Sequence, residues 1–289
     1  MFISLIVSSL LFGLCTNEKC NYYLLFCIIF FSIGLMDDIF DWNYKKKLTL
    51  QIISVALFLL VIPIDLSKLT FSSIEIQIPK LNYLLVLLWI IAVINSFNFF
   101  DGINKLGGSL AIVFFASYCI FYYSRQSTIP IEIFLIIIFS IFGFLVYNRT
   151  PAKMFMGDSG SMLLGFLIAT TPLLFTSTDA VGIDITFPVI ITSILIMEIT
   201  YLIFSRIKYK NSPFSPDRNH LHHVLLDFNL RNRYVVLIIV FATILLSILA
   251  FFSKQLLFYQ IVLIELLFFG TIIVLPRLIR SRKLEQLNN

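Results

Sequence analysis

Residues 206–233, RIKYKNSPFSPDRNHLHHVLLDFNLRNR, form the longest polar interruption in a chain that is 59% hydrophobic. They include every histidine of the protein: His220, His222 and His223. The Ser-Pro and Asp-Arg steps before the histidines are turn and cap signals, so a short helix is predicted to begin near Asp217 or Arg218. On such a helix the first and third histidines share a face and the second points elsewhere. A solvated basic loop is the alternative, but the clustering of the histidines favours a functional loop that faces water.

The composition of the 289-residue chain excludes a soluble globular protein. Only 13% of its residues are charged, whereas roughly 25% is usual in soluble domains. We therefore predict an all-α fold, a single polytopic transmembrane domain of residues 1–289 with about ten transmembrane helices. The apolar runs cover residues 2–15, 21–36, 48–64, 81–99, 107–123, 130–147, 160–176, 186–204, 234–252 and 256–275.

The distribution of Lys and Arg predicts the orientation of these helices. One set of polar segments carries 16 of the 21 basic residues, and the positive-inside rule assigns that set to the cytoplasm. The cytoplasmic loops are then about residues 37–47, 101–106, 148–159 and 205–233, followed by a basic tail at 276–289. The net charge of +5 is a topology signal, so no nucleic-acid partner is predicted. The basic tail favours contact with anionic membrane lipid.

The opposite side carries the other five basic residues and one short patterned segment. Within residues 72–79, Ile74, Ile76 and Ile78 alternate with polar residues. A period of two predicts a small β-hairpin outside the membrane.

Asp37, Asp38 and Asp41 cluster at the cytoplasmic end of the second apolar run. Three carboxylates at a membrane boundary repel one another unless a cation lies between them. Asp37 and Asp41 are predicted to share a helical face, with Asp38 turned aside. Mg²⁺ is usually held by one or two carboxylates plus substrate phosphates, so the cluster predicts a magnesium site. A solvated helix cap is the alternative.

Polar side chains also recur every three or four residues where the fourth apolar run ends: Asn95, Asn98, Asp101 and Asn104. Such a stripe is costly in lipid unless its groups are paired. We therefore expect it to face a cleft in the protein. Interhelical hydrogen bonds are the alternative explanation.

Asp158 lies where a loop becomes a helix, within FMGDSGS at residues 155–161. The flanking glycines allow close backbone approach, and the N–H groups of the new helix can share a bound phosphate. A simple helix cap is the alternative. Taken together, the four cytoplasmic loops favour a metal-assisted phosphate site at the membrane surface.

Four motifs occur in order between the predicted helices: DDIFD at 37–41, NSFNFFDGIN at 95–104, FMGDSGS, and SPFSPDRNHLHH at 212–223. This combination resembles the polyprenyl-phosphate N-acetylhexosamine-1-phosphate transferase family over about residues 34–226. The histidine motif resembles the branch that transfers GlcNAc 1-phosphate to undecaprenyl phosphate. The resemblance implies a Mg-dependent transferase that uses a UDP-N-acetylhexosamine and releases UMP. This is the first membrane step of a cell-surface polysaccharide pathway, such as that of the lipopolysaccharide O-antigen.

The resemblance also implies roles for individual residues. Asp158 would bind Mg²⁺ on the UDP diphosphate with Asp38 as a second ligand, and Asp37 or Asp38 would activate or position the attacking lipid phosphate. Phe155 would stack on uracil. The histidine loop, with Arg218, would hold the sugar phosphate. Substrate binding is implied for Asn95, Asn98, Asp101, Asn104, Asn148, Phe155, Arg218, His220, His222 and His223, with Asn148 and residues 101–104 lining the uridine pocket.

Further expectations follow from the same resemblance. Mn²⁺ is expected to substitute for Mg²⁺. The protein is expected in the cytoplasmic membrane of a bacterium, with its site facing the cytoplasm. Direct attack by the lipid phosphate and two-step transfer through a phospho-aspartate both stay open as mechanisms. Whether the protein forms a homodimer also stays open.

The sequence departs from the family pattern in two respects. The usual first helix and the His-, Pro- and Gly-containing loop after it are missing, which suggests a misassigned start codon, a truncated gene or a divergent member. Asn104-Lys105 stands where the family more often has Asp-Gly, so altered nucleotide binding is expected. A catalytically inactive member is one alternative function. An ion-coupled transporter is another, since Glu198 and Glu265 lie within apolar runs, although Glu198 could equally pair with Arg206.

Overall fold

A computed structural model describes residues 18–125, 131–149, 151–174, 182–210, 212 and 219–288. This part of the chain is helical apart from one small sheet, which confirms the predicted all-α, polytopic membrane fold. The first predicted run, residues 2–15, lies outside the described residues, and so does the segment 213–218 that includes Arg218.

The structure describes twelve α-helices. They are α1 (Glu18–Phe40), α2 (Tyr44–Val61), α3 (Pro79–Phe100), α4 (Leu106–Ser124), α5 (Ile131–Tyr147), α6 (Gly157–Leu174), α7 (Thr186–Ile191), α8 (Ser193–Lys208), α9 (Leu221–Leu226), α10 (Asn232–Phe252), α11 (Phe258–Phe268) and α12 (Leu275–Asn288). A 3₁₀ turn, Ser253–Gln255, separates α10 from α11, and a π-helical stretch, Phe269–Val274, joins α11 to α12.

Five stretches of the described chain are long and apolar enough to cross a membrane, judged by length and composition. They lie in α1, α3, α4, α10 and the continuous helix formed by α11 and α12, while α5 is apolar but shorter. The predicted run at 186–204 is divided into α7 and α8 at Thr192. From residue 21 onward, every predicted apolar run therefore corresponds to helical structure.

The helix α6 lies at the centre of the bundle. Residues 160–173 are all buried, so this helix has no face toward lipid. Its most extensive contacts are with α1 and α3. A Cβ on Gly34 of α1 would overlap the backbone carbonyl of Asp158, and a Cβ on Gly165 would lie 2.8 Å from the Cα of Ile94 in α3. The first turn of α6 is thus in direct contact with the backbone of α1.

The small sheet confirms the predicted hairpin and adds a third strand. The strand β1 (Leu69–Phe71) pairs antiparallel with β2 (Ile74–Ile76) and parallel with β3 (Ile183–Asp184). The hairpin begins three residues earlier than predicted, and β3 was not predicted because two residues show no period. The backbone N–H of Gly182 also donates to Asp65 (3.1 Å). Because the sheet precedes α3 and the polar stripe lies at the other end of that helix, the two lie about 30 Å apart, at opposite ends of the bundle.

The contact between α1 and α6 predicts a stability difference between two glycine variants. Gly34→Ala places a methyl group against rigid backbone, which we expect to destabilise the protein by about 1–3 kcal/mol, as overpacking does. Gly143 of α5 has no atom within 4 Å of its Cβ position, so Gly143→Ala should be neutral or stabilising by up to ~1 kcal/mol. Thermal unfolding in detergent measures both variants, and equal midpoints would contradict the close approach of α1 and α6.

Candidate active site

The candidate site forms where the ends of α1 and α3 meet the first turn of α6. Asp38 accepts hydrogen bonds from the backbone N–H groups of Asp158 (2.8 Å) and Ser159 (3.0 Å). It therefore caps α6, where a carboxylate also interacts favourably with the helix dipole. The sequence suggested that these N–H groups share a bound phosphate. In the structure their acceptor is a carboxylate of the protein.

A lysine from α2 joins two acidic residues of the site. Lys47 donates a 2.7 Å hydrogen bond to Asp37 and a second hydrogen bond to Asp158. All three side chains are mostly buried, so the charges are weakly screened by water. From the sequence alone, Lys47 is predicted only to be one of the charges that set the topology. The sequence does contain one signal for this pairing: a basic residue that follows an acidic cluster across a short turn.

The polar side chains of the α3 stripe hydrogen-bond to two different groups of partners. The Asn98 amide donates to Asp158 Oδ1 (2.6 Å) and is 2.7 Å from the Ser161 hydroxyl, so it belongs to the carboxylate cluster. The Asn95 amide donates to Gln51 of α2 (2.8 Å) instead. Interhelical hydrogen bonding, the alternative to a cleft, therefore accounts for Asn95.

One prediction about the acidic cluster is wrong. Asp37 and Asp41 were expected to share a helical face, but α1 ends at Phe40. Asp41 has a φ of 46° and lies outside the helix. Asp37 shares a partner with Asp158 instead, and Asp38, predicted to be turned aside, makes the cap contact.

A small cleft beside the carboxylates is lined by residues that the sequence assigned to substrate binding: Asp101, Asn104, Asn148 and Phe155, together with Gly102, Ile103 and Met156. The buried Asn148 side chain ties the two loops of the cleft together. It accepts from the backbone N–H of Lys105 (2.6 Å) and donates to the carbonyl of Met154 (2.7 Å). The ring of Phe155 is 73% exposed and is available for stacking.

Asp101 is a titratable group in this cleft. Burial, and to a lesser degree the charge of Asp158, raises the pKa of Asp101 to about 7. A carboxyl group with a pKa near 7 can exchange a proton at physiological pH. Gly107 allows its close packing, since a Cβ there would lie 2.6 Å from Asp101 Oδ1.

The histidines lie close together, and His222 contacts Gly102 in the lining of the cleft. The predicted helix start is wrong, because α9 begins at Leu221 and His220 is an extended residue before it. His222 does not point away: its ring centroid is 5.8 Å from that of His220 and 4.2 Å from that of His223. Because tertiary contacts decided both points, helical periodicity did not predict them.

Two contacts join the histidines to the rest of the site. The His220 ring lies 4.8 Å from the ring of Phe99, the neighbour of Asn98. His222 is 2% exposed, and a Cβ on Gly102 would overlap its Nε2. Burial, together with the neighbouring charged groups, lowers the pKa of His222 to about 3, so its imidazole is neutral at physiological pH.

The donor set fits a metal ion only in part. Among the residues that the structure describes, no group of three or more His, Cys, Asp or Glu is arranged to hold a metal. Mg²⁺ needs only one or two carboxylates when substrate phosphates complete its coordination, and Asp37 with Asp158 meets that requirement. Asp38, the expected second ligand, uses both oxygens in the cap of α6.

Comparison with known proteins agrees with the motifs. The family model "Glycosyl transferase family 4" matches residues 20–176. A probable undecaprenyl-phosphate N-acetylglucosaminyl 1-phosphate transferase of Bacillus subtilis is 29% identical over 88% of this chain and 72% of its own length. Undecaprenyl-phosphate alpha-N-acetylglucosaminyl 1-phosphate transferases of Thermotoga maritima (30% identical) and Escherichia coli K12 (32%) match over 72% and 74% of this chain. The matches span 62% and 60% of those two relatives' own lengths.

Because Lys47 pairs with both Asp37 and Asp158, its replacement should lower the stability of the protein by an amount that depends on metal. In Lys47→Gln, Asp37 and Asp158 lose their common cation, so the midpoint of thermal unfolding in EDTA should fall by several degrees. Millimolar Mg²⁺ should restore part of the loss, because a divalent cation can take over the neutralisation. Lys45→Gln removes an exposed lysine of the same helix turn and should unfold like the wild type. Equal midpoints for the two variants in EDTA would contradict the shared ion pair.

Proposed function

The chain belongs to glycosyl transferase family 4, and on this premise we propose that it transfers GlcNAc 1-phosphate from UDP-GlcNAc to undecaprenyl phosphate. The names of its relatives describe this activity. The observation that carries the proposal is the pairing of Asp37 and Asp158 through Lys47 beside a cleft with an exposed aromatic ring. The chain spans about 60–72% of the length of these relatives, so the activity of the whole protein is part of the proposal.

The reaction is a phosphoryl transfer with a simple balance of bonds. In the direct form, an oxygen of the lipid phosphate attacks the β-phosphorus of UDP-GlcNAc, the bond between that phosphorus and the bridging oxygen breaks, and UMP leaves with the electron pair. In the two-step form, an aspartate oxygen makes this attack first, and the lipid phosphate then takes the sugar phosphate from the aspartate. The products are undecaprenyl diphosphate-GlcNAc and UMP. Catalysis of this chemistry rests mainly on positioning and charge neutralisation, which the carboxylates and the lysine are suited to provide.

The acidic residues would have different roles in the reaction. Asp158 and Asp37 would hold Mg²⁺, which would neutralise the charge of the diphosphate. Asp38 fixes the first turn of α6 and hence the backbone of Asp158. Lys47 limits the repulsion between the two carboxylates and an incoming phosphate. A direct ligand role for Asp38 and the activation of the lipid phosphate by Asp37 or Asp38 stay predictions.

The cleft would take the nucleotide. Phe155 offers an exposed ring for stacking on uracil, and a base on an aromatic ring gains about 1–3 kcal/mol in known complexes. The amide oxygen of Asn104 can accept a hydrogen bond from uracil N3, which supports binding despite the departure from the family pattern. His222 contacts Gly102 in the lining of this cleft, and the three histidines would hold the sugar phosphate, together with Arg218.

The location of the site follows from the charge distribution. The set of polar segments with 16 of the 21 basic residues includes the loops that carry the site, so we propose that it faces the cytoplasm at a bacterial inner membrane. Family membership favours transfer over the transporter alternative. Glu198, one of the two residues that motivated that alternative, forms an ion pair with Arg277 (2.8 Å).

An assay of the purified protein in detergent tests the proposal. We expect UMP to be released from UDP-GlcNAc only when both undecaprenyl phosphate and Mg²⁺ are present, with Mn²⁺ as a substitute. The controls omit the lipid or add EDTA. Release of UMP that survives complete chelation would contradict the metal assignment. No release from folded protein would support the inactive alternative, and ion flux in liposomes without transfer would support a transporter.

A further inference from the structure

An ion pair that the proposed function does not use lies in the interior of the protein. Arg277 Nη2 of α12 is 2.8 Å from both carboxylate oxygens of Glu198 in α8. The two side chains are only 4% and 1% exposed, and the guanidinium lies 4.3 Å from the centre of the Tyr201 ring. The partner suggested by the sequence was Arg206, so the pairing with Arg277, 79 residues away, was not anticipated.

Several further hydrogen bonds of this pair go to the backbone on both sides of His220, and Arg277 Nη1 also donates to the carbonyl of Ile273 (2.7 Å). Glu198 Oε1 accepts from the N–H of Leu221 (2.8 Å). Arg277 donates to the carbonyl of Asn219 through Nη2 (2.8 Å) and Nε (3.1 Å). Residues 219–223, which we call the histidine segment, are therefore held at their first and third positions by one buried ion pair.

A buried ion pair is weak support for stability, because the loss of hydration offsets much of the attraction between the charges. Its geometry is nevertheless demanding, since each buried partner must keep its hydrogen bonds to other groups of the protein. Here the histidine segment supplies part of those hydrogen bonds. The position of the segment and the integrity of the pair therefore depend on each other.

The segment in turn contacts both parts of the candidate site. His220 packs on Phe99, whose neighbour Asn98 donates to Asp158. His222 packs on Gly102 in the wall of the cleft. A shift of the segment would therefore move side chains at the cleft while leaving the shared ion pair of Lys47 in place.

We propose that Glu198 and Arg277 are positioning residues that hold the histidine segment against the cleft, so that the last helix of the chain contributes to substrate binding. The proposal rests on the proposed function for its kinetic consequence. Its structural consequence, the burial of His222, does not depend on any activity.

Kinetics of Arg277→Gln test the first consequence. We expect the KM for UDP-GlcNAc to rise about tenfold or more and kcat to fall, since small displacements in a site are costly, while the KM for undecaprenyl phosphate stays within about twofold. Arg277→Lys keeps the charge and should retain part of the activity. Arg282→Gln removes an exposed arginine of the same helix and should match the wild type. A fall in kcat with both KM values unchanged would indicate a merely structural role and overturn the proposal.

Chemical labelling of the histidines tests the second consequence. Diethyl pyrocarbonate should leave His222 unmodified in the wild type and in Arg282→Gln, as mass spectrometry of the peptides will report. In Arg277→Gln, and in the nearly isosteric Glu198→Gln, His222 should become reactive. Continued protection of His222 in both folded variants would overturn the proposal. If the wild type transfers no sugar phosphate, the proposed function fails, and the labelling still decides whether the pair holds the segment.

Discussion

The capping of α6 by Asp38 is the interaction on which the rest of the site depends. One carboxylate accepts the N–H groups of Asp158 and Ser159, and so joins the end of α1 to the start of the central helix. Gly157, with a φ of 67°, makes room for it, since a Cβ there would lie 2.8 Å from Asp38 Oδ2. Because the backbone of Asp158 is fixed in this way, its side chain can meet partners from α2 and α3.

The negative charges of the site are only partly neutralised by other groups of the protein. Asp37 and Asp158 share the single ammonium group of Lys47, while the Asn98 amide adds a neutral donor. An excess of negative charge in a mostly buried place favours a further cation, and a diphosphate substrate arrives with one in most phosphoryl-transfer enzymes. The cleft next to this cluster would then receive the organic part of the same substrate.

The sequence predicted which loops meet, because polar motifs in an otherwise apolar chain are excluded from the lipid. It also predicted that Asn148 and Phe155 belong to the same cleft, and it predicted the hairpin formed by β1 and β2. It did not predict Lys47 or the pair of Glu198 and Arg277, since contacts between distant helices leave no periodic pattern. The two-residue strand β3 and the extended conformation of His220 are likewise set by neighbours that are remote in the chain.

The most direct test of the account is the turnover of Asp158→Asn with UDP-GlcNAc and undecaprenyl phosphate. Asparagine keeps the shape of the side chain, but it removes the charge that pairs with Lys47 and that would hold a divalent cation. The account predicts a fall in kcat of roughly 10²-fold or more, the scale seen when one electrostatic stabiliser is removed from an enzyme. Near-wild-type turnover in folded, membrane-inserted protein would contradict it.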